Sequence, residues 1–136
     1  MAVDMLEHFT VRCTDLDLTR DFYVEFIGLR VGPRPDFDFS GYWLYLGDQP
    51  VVHLVLEFER DDGREPRDPS LLPPETGALD HIAFRGVDLQ GTRAKLRAQG
   101  MAFRERPVPG KPLHQLFVHD PDGVMIELNF RNIPKV

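Results

Sequence analysis

The feature that most limits the fold of this chain is an internal repeat. The segment that begins at His8 returns, in weakened form, 73 positions later at His81. Six residue types coincide, and most of the other pairs keep their apolar or small character. The two copies are HFTVRCTDLDLTR at residues 8–20 and HIAFRGVDLQGTR at residues 81–93. Such a repeat marks a duplicated structural unit, so the chain is predicted to contain two modules that each open with a histidine on a strand.

Composition excludes several classes of protein. A length of 136 residues predicts one domain, residues 1–136, with room for a sizeable core. A hydrophobic content of 42% is typical of a globular protein. The formal net charge of −6 disfavours a nucleic-acid partner, because phosphate binding needs a basic face.

Cysteine content and the first residues bear on location. Cys13 is the only cysteine, which rules out an intrachain disulfide and fits a reducing compartment. The first residues lack the basic and apolar regions of a secretory signal. No apolar run approaches the length of a membrane span. We therefore expect a cytoplasmic protein with no membrane partner.

Hydrophobic periodicity predicts the same element order in both halves. In the first half, strands are predicted at residues 6–12, 29–31, 42–46 and 51–58, with a helix from a cap at Thr14 or Asp15 to about residue 27. In the second half, strands are predicted at residues 81–85, 101–105, 113–119 and 124–130, with a helix from a cap at Asp88 to residue 99. Between the halves, residues 60–78 carry four prolines and many charges, which indicates a linker. The predicted fold class is α+β, with two βαβββ modules, residues 1–59 and 79–136.

Four side chains occupy matched places in the two modules and suggest a metal site. His8 and His81 lie on the first predicted strands, and His53 and Glu127 follow them by 45 and 46 residues on the last strands. If the two sheets curl toward each other, all four point into one cleft. Three imidazoles and a carboxylate suit Fe²⁺, Ni²⁺, Zn²⁺, Co²⁺ or Mn²⁺. Glu127 is the only charged residue in an apolar strand, so we expect it to have a partner.

The chain resembles the vicinal oxygen chelate superfamily, which includes glyoxalase I, extradiol dioxygenases and bleomycin-resistance proteins. The most specific matches are His8 with the helix that follows it, DHIAF at residues 80–84, and DPDG with IEL at residues 120–123 and 126–128. The resemblance implies a glyoxalase-like fold whose curved mixed sheet surrounds a metal cleft. It implies His8, His81 and Glu127 as ligands, with His53 in the fourth position. Bacterial glyoxalase I usually has glutamate there, so His53 is a departure that leaves the identity of the proton-transferring base open.

Further residues are candidates for binding a substrate. Strand alternation places Trp43 and Tyr45 on the face of His53, and the resemblance places Gln115 and Phe117 near Glu127. The three aromatic rings would form a wall for an apolar substrate, with Gln115 as a hydrogen-bond donor; packing in the core is the alternative. Arg12 and Arg85 occupy the same place in the two repeats. We expect them either to bind an anionic substrate or to lie on the surface as ordinary strand-end residues.

Three functions remain open at this point. The preferred hypothesis is a metal-dependent enzyme of the glyoxalase type, which binds two adjacent oxygens of a small substrate and proceeds through an enediolate-like anion, with Glu127 as base. The second is an Fe(II) extradiol-type dioxygenase that uses His8, His81 and Glu127, with His53 as an acid–base group outside the ligand set. The third is a metal-free, ligand-sequestering protein of the bleomycin-resistance kind. The resemblance also implies a homodimer.

Overall fold

The computed structural model describes residues 2, 4–56, 76–77 and 79–133. The chain divides into two compact units, Met1–Leu72 and Pro73–Val136. The predicted linker at residues 60–78 lies outside the described residues, except for Thr76 and Gly77. None of the helices in the described ranges is long and apolar enough to cross a membrane.

The first unit contains a four-stranded mixed sheet and one helical segment. Its elements are β1 (Phe9–Cys13), α1 (Leu16–Phe22), a π-helical segment (Tyr23–Ile27), β2 (Arg30–Gly32), β3 (Gly41–Leu46) and β4 (Gln49–Leu56). The strands lie in the order β1-β4-β3-β2. The pair β1 and β4 is parallel, and the other pairs are antiparallel. This order matches the βαβββ module predicted from the sequence.

Local chemistry explains the ends of the helical segment. The Asp15 side chain accepts a hydrogen bond from the backbone N–H of Leu18 at 3.0 Å, which satisfies a donor that the first helical turn leaves open. Gly28 ends the segment with φ at 87°, a conformation that glycine adopts without strain. The predicted helix therefore has the expected extent. The regular α-helical period is wrong for its last five residues, which form wider π turns.

Alternation along the strands separates a core face from an exposed face. The side chains buried on the core face include Val11, Cys13, Leu44, Val52 and Leu54. This face packs against α1, whose Phe22 is also buried. Burying one such side chain contributes about 1.5–3 kcal/mol to folding. The opposite face of the same strands carries the candidate site residues.

The second unit repeats this arrangement. Its elements are β5 (Ile82–Gly86), α2 (Leu89–Ala98), β6 (Arg104–Pro107), β7 (Leu113–His119) and β8 (Met125–Arg131). The strands lie in the order β5-β8-β7-β6, with β5 and β8 parallel. Asp88 caps α2 by accepting a hydrogen bond from the backbone N–H of Gly91 at 3.0 Å. The fold class predicted from the repeat, α+β with two βαβββ modules, is confirmed.

Strand β6 begins three residues later than the sequence predicts. The predicted strand covered residues 101–105, whereas the structure has Arg104–Pro107. The backbone N–H of Met101 donates to the carbonyl of Leu96 at 2.9 Å, so this residue completes the end of α2. A backbone group used to close a helix is not available to a neighbouring strand, which explains the shift.

A polar cluster lies on the core face of the second sheet. Arg93 of α2 donates to Glu105 of β6 at 2.8 Å, and His114 of β7 lies 3.3 Å from the same carboxylate. The Arg93 guanidinium, and then the contact with His114, hold the pKa of Glu105 below its ordinary value of 4.5. Since neighbouring side chains on a strand point to opposite faces, His114 lies on the face opposite Gln115, together with Glu105.

We expect Glu105→Gln to destabilise the protein at pH 7 by about 1–3 kcal/mol, because a charged hydrogen bond to Arg93 is lost. The folded-state pKa of Glu105 is depressed, so its stabilisation is present above pH 4.5 and is lost as the pH falls through the folded value. The free energies of unfolding of wild type and variant, measured with urea, should therefore become equal in acid. Glu25→Gln, at an exposed glutamate, is the matched control. An unchanged difference in acid would contradict this assignment.

Candidate functional site

Three aromatic rings form a stacked column on the exposed face of the first sheet. Trp43 of β3 lies directly opposite His53 of β4 in the strand register. The ring centroids of Trp43 and His53 are 4.1 Å apart at 13°. The rings of His8 and His53 are 3.7 Å apart at 11°. The structure therefore brings together two of the four predicted ligands, with Trp43 as the outer ring of the stack.

The imidazole of His53 has the properties of a metal ligand. Its Nε2 is buried and has no hydrogen-bond partner among the described residues. Burial is the main cause that lowers the pKa of His53 below 6.5, and the nearby His8 lowers it further. A hydrogen bond to the backbone of Pro50 acts in the opposite direction. Divalent ions bind the neutral form of imidazole through a nitrogen lone pair, so His53 stays a candidate ligand.

In both units, an acidic residue precedes the first histidine and contacts its ring. Nδ1 of His8 lies 3.0 Å from Oε1 of Glu7, and Nδ1 of His81 lies 2.7 Å from Oδ2 of Asp80. A carboxylate can only accept, so each Nδ1 carries a proton and the lone pair of the neutral ring resides on Nε2. Carboxylate–histidine pairs of this kind orient metal-binding imidazoles. Sequence reasoning missed both acids, although they occupy the same place in the repeat.

Glu127 lies on the face of the second sheet that points away from α2, beside the second histidine. Its Oε1 is 3.6 Å from Nε2 of His81, and its side chain is only 12% exposed. Its other oxygen, Oε2, accepts a hydrogen bond from Nδ2 of Asn129 at 2.9 Å. The partner expected for this carboxylate is thus an amide that the sequence analysis did not single out. His81 and Glu127 form the second pair of predicted ligands.

The remaining second-unit candidates lie next to Glu127. Phe117 is opposite Glu127 in the strand register, and Gln115 is opposite Asn129. Phe117 is buried under two guanidinium groups, those of Arg104 at 4.5 Å and Arg106 at 5.5 Å from the ring centroid. Sequence reasoning did not identify these two arginines. Their signal is the alternation of Arg104 and Arg106 along β6, which puts both on one face.

The other predicted residues are placed as follows. Tyr45 donates from its hydroxyl to the carbonyl of Pro33, and the guanidinium of Arg30 lies 5.4 Å from its ring centroid. Arg12 is opposite Val55 in the first sheet, and its repeat mate Arg85 is opposite Asn129 in the second. Both arginines are on the strand faces that carry the candidate ligands. Phe37 and Phe39 stack 5.0 Å apart, and Phe37 lies 6.5 Å from Trp43, so the aromatic surface in the first unit is larger than predicted.

The four predicted ligands are thus found as two pairs, one in each unit. Within the part of the chain that the structure describes, no group of three or more histidine, cysteine, aspartate or glutamate side chains is arranged to hold a metal ion. The assignment of all four side chains to one ion stays a prediction. The chemistry of each pair fits a divalent ion, since one contains an unpartnered buried nitrogen and the other an oriented carboxylate.

Comparisons with known proteins give consistent results. The model of the Glyoxalase/Bleomycin resistance protein/Dioxygenase superfamily matches residues 5–128. Glyoxylase I 4 of Arabidopsis thaliana is 31% identical over 135 residues, which cover 96% of this chain and 74% of that protein. A probable lactoylglutathione lyase of Vibrio parahaemolyticus is 31% identical over 133 residues, or 94% of this chain and 91% of that protein. The crystal structure of a glyoxylase/bleomycin resistance protein/dioxygenase domain from Frankia sp. EAN1pec has the same fold, with a TM-score of 0.71 at 19% identity over 96% of this chain and 93% of that one.

We expect His53 to titrate below 6.5 in the metal-free protein, because burial and His8 disfavour its charged form. Since the folded-state pKa is depressed, the stability linked to His53 is present above 6.5 and is lost as the pH falls through the folded value. NMR titration of the imidazole Cε1 protons measures this pKa, with His53→Gln to assign the signal. Titration of His53 at or above 6.5 would be incompatible with the buried, stacked ring.

Proposed function

Because the chain belongs to the Glyoxalase/Bleomycin resistance protein/Dioxygenase superfamily, we propose that it is a metal-dependent enzyme of the glyoxalase type. It acts on a small substrate with two adjacent oxygens and carries out lyase or isomerase chemistry. Two relatives at 31% identity are named Glyoxylase I 4 and probable lactoylglutathione lyase, which supports a glyoxalase-type activity. The observation that carries the metal proposal is the buried Nε2 of His53, which lacks a hydrogen-bond partner among the described residues.

The proposed ligands are His8, His53, His81 and Glu127. The acidic partners of His8 and His81 leave the Nε2 atom of each ring with a lone pair, and Nε2 of His53 is already desolvated. Three imidazoles and a carboxylate suit Fe²⁺, Ni²⁺, Zn²⁺, Co²⁺ or Mn²⁺. When bound, such an ion would supply Lewis acidity to the two vicinal oxygens of the substrate and so acidify the adjacent C–H bond.

Glu127 is the proposed base. Its Oε1 lies on the side of His81, whereas Oε2 is held by Asn129, so Oε1 is the atom that takes the proton from the substrate carbon. The same oxygen returns the proton to the neighbouring carbon, which completes an isomerisation without an oxidant or reductant. The low exposure of Glu127 keeps bulk water from competing for that proton.

His53 stands where bacterial glyoxalase I usually has glutamate. A neutral imidazole cannot accept a proton on a nitrogen that is already used as a ligand, so the two roles of His53 exclude each other. We propose that His53 is primarily a ligand, because its Nε2 is buried and has no hydrogen-bond partner among the described residues. Glu127 is then the only residue proposed to transfer protons.

The proposed binding surface for the substrate is aromatic and cationic. Trp43, Tyr45 and Phe117 would contact apolar parts of the substrate, and Gln115 lies opposite Asn129 on the same sheet as Glu127. The other two residues of the proposed binding surface are Arg12 and Arg85. They lie on the strand faces that carry the candidate ligands, where a guanidinium would attract an anionic group.

Glu127→Gln should lose most of the bound metal and lower kcat by at least about 10²-fold, since it removes both a charged ligand and the base. Metal content is measured on protein purified without chelators or a metal-affinity tag. Activity is measured with methylglyoxal–thiol adducts after loading with each of the five ions. Glu25→Gln, at an exposed position, is the matched control and should retain both properties.

Full activity in the Glu127→Gln variant would overturn the assignment of the base. Oxygen uptake with catechols by the iron-loaded protein, without turnover of the thiol adducts, would replace the proposal with a dioxygenase. Failure of the wild type to bind any of the five ions would instead favour metal-free ligand sequestration.

We also propose that the protein is a homodimer, as the family resemblance implies. Light scattering is expected to give twice the 15.6 kDa mass of one chain. A monomer that binds metal would contradict the dimer and leave the ligand assignment in place.

A further inference from the structure

We infer that Arg106, Gln115 and Asn129 form a hydrogen-bonded relay that positions the carboxylate of Glu127. The three side chains act on the proposed metal site through Glu127, so they are positioning residues. The inference rests on the proposed function, because it assigns these residues a role toward the same site. It adds a chain of contacts across three strands that neither the repeat nor the family resemblance indicates.

The relay consists of three consecutive hydrogen bonds. Nε of Arg106 donates to Oε1 of Gln115 at 2.9 Å. Nε2 of Gln115 donates to Oδ1 of Asn129 at 3.1 Å. Nδ2 of Asn129 donates to Oε2 of Glu127 at 2.9 Å. Each distance is that of a normal hydrogen bond, so the chain is continuous from a guanidinium to a carboxylate.

The chemistry of the two ends fixes the direction of the whole relay. An ionised carboxylate only accepts, so Asn129 must present its Nδ2 to Glu127 and its Oδ1 to the next residue. Gln115 must therefore donate to that oxygen, which leaves its own Oε1 toward β6. Arginine only donates, so Arg106 is a suitable residue to end the chain there. Reversing either amide would break two hydrogen bonds at once.

The relay is built on regular secondary structure. Arg106 on β6 is opposite Gln115 on β7, which is opposite Asn129 on β8. Strand register therefore sets the spacing of the three side chains without any loop. The guanidinium of Arg106 is further held by its contact with the ring of the buried Phe117. Side chains fixed in this way can hold a carboxylate in one orientation.

The first unit provides an internal comparison. Its residues that correspond to Gln115 and Asn129 are Gly41 and Val55, which are also opposite each other in the strand register. Neither can carry a hydrogen bond from its side chain. Arg34 lies beside Gly41, but its guanidinium donates to the backbone carbonyl of Phe39 at 2.8 Å. The amides are thus present in the module whose last strand carries a carboxylate and absent from the module whose last strand carries an imidazole.

The relay gives the two oxygens of Glu127 different roles. Oε2 is occupied by Asn129, and Oε1 is left on the side of His81. Without the amide, the carboxylate could rotate and present either oxygen. The relay therefore leaves Oε1 available to bind a metal ion or, when it is not bound to one, to accept a proton. Such outer contacts change metal affinity by about 10–100-fold when they are removed.

The test compares variants along the relay with a matched arginine outside it. Asn129→Leu removes the last donor, and Gln115→Glu keeps the size of the side chain but cannot donate to Asn129. Arg106→Met removes the first donor. Arg104→Met is the control. It removes an arginine from the same strand face that also covers Phe117, whereas the hydrogen bond to Gln115 comes from Arg106.

Two measurements that start from the metal-free protein report on the position of the Glu127 carboxylate. The first is Zn²⁺ affinity in competition with a chromogenic chelator, and the second is the visible absorption spectrum after loading with Co²⁺. We expect Asn129→Leu and Gln115→Glu to bind Zn²⁺ about 10–100-fold more weakly and to shift the Co²⁺ bands. Arg106→Met should weaken binding less, because two amides separate it from Glu127. Arg104→Met should keep the affinity and spectrum of the wild type.

Each outcome decides between the alternatives. Wild-type affinity and an unchanged Co²⁺ spectrum in both Asn129→Leu and Gln115→Glu would overturn the relay and leave the proposed function in place. An equal loss in all four variants, with a lowered thermal midpoint, would show a general effect on the fold and would also overturn it. Failure of the wild-type protein to bind Zn²⁺, Co²⁺ or any of the other three ions would overturn the proposed function and the relay together.

Discussion

Each pair of candidate ligands depends on the parallel pairing of the first strand of a module with its last strand. In the first unit Thr10 lies opposite His53, and in the second Ala83 lies opposite Glu127. Side chains two residues apart on a strand point the same way, so this register puts His8 beside His53 and His81 beside Glu127. A slip of one residue would turn one member of a pair to the core face. Strand register, more than any single hydrogen bond, sets the geometry of the site.

The same register determines which polar groups lose contact with water. His53 responds as a neutral ring, because burial lowers its pKa and two flat neighbours replace its hydration. Stacking alone would not suit Glu127, since removing an ionised carboxylate from water is costly unless hydrogen-bond donors replace the water. Asn129 is such a donor. The two modules thus treat a desolvated side chain differently. The first holds His53 as a neutral ring in an aromatic stack, and the second gives Glu127 an amide donor.

The sequence predicted the parts of the structure that periodicity and the repeat encode. Strand β7, Leu113–His119, has the predicted bounds because the turn at residues 120–123 ends it sharply. Strand β6 was displaced because the end of α2 uses Met101, a tertiary effect with no periodic signal. Asn129 was missed for a related reason: its role depends on which residues of two other strands lie opposite it. The acids before His8 and His81 occupy matched positions in the repeat, so the sequence does contain a signal for them.

The two modules show how a shared backbone supports different ligand chemistry. An imidazole has one free nitrogen once its other nitrogen is hydrogen-bonded, so a single contact is enough to orient it. A carboxylate has two equivalent oxygens and a full charge, and it needs a donor that distinguishes one oxygen from the other. Gly41 and Val55 lie beside His53, whereas the corresponding places near Glu127 hold the hydrogen-bonded amides of Gln115 and Asn129. If the relay holds, the charge of the candidate ligand on the last strand accounts for the different polarity of its neighbours across the sheet in the two repeats.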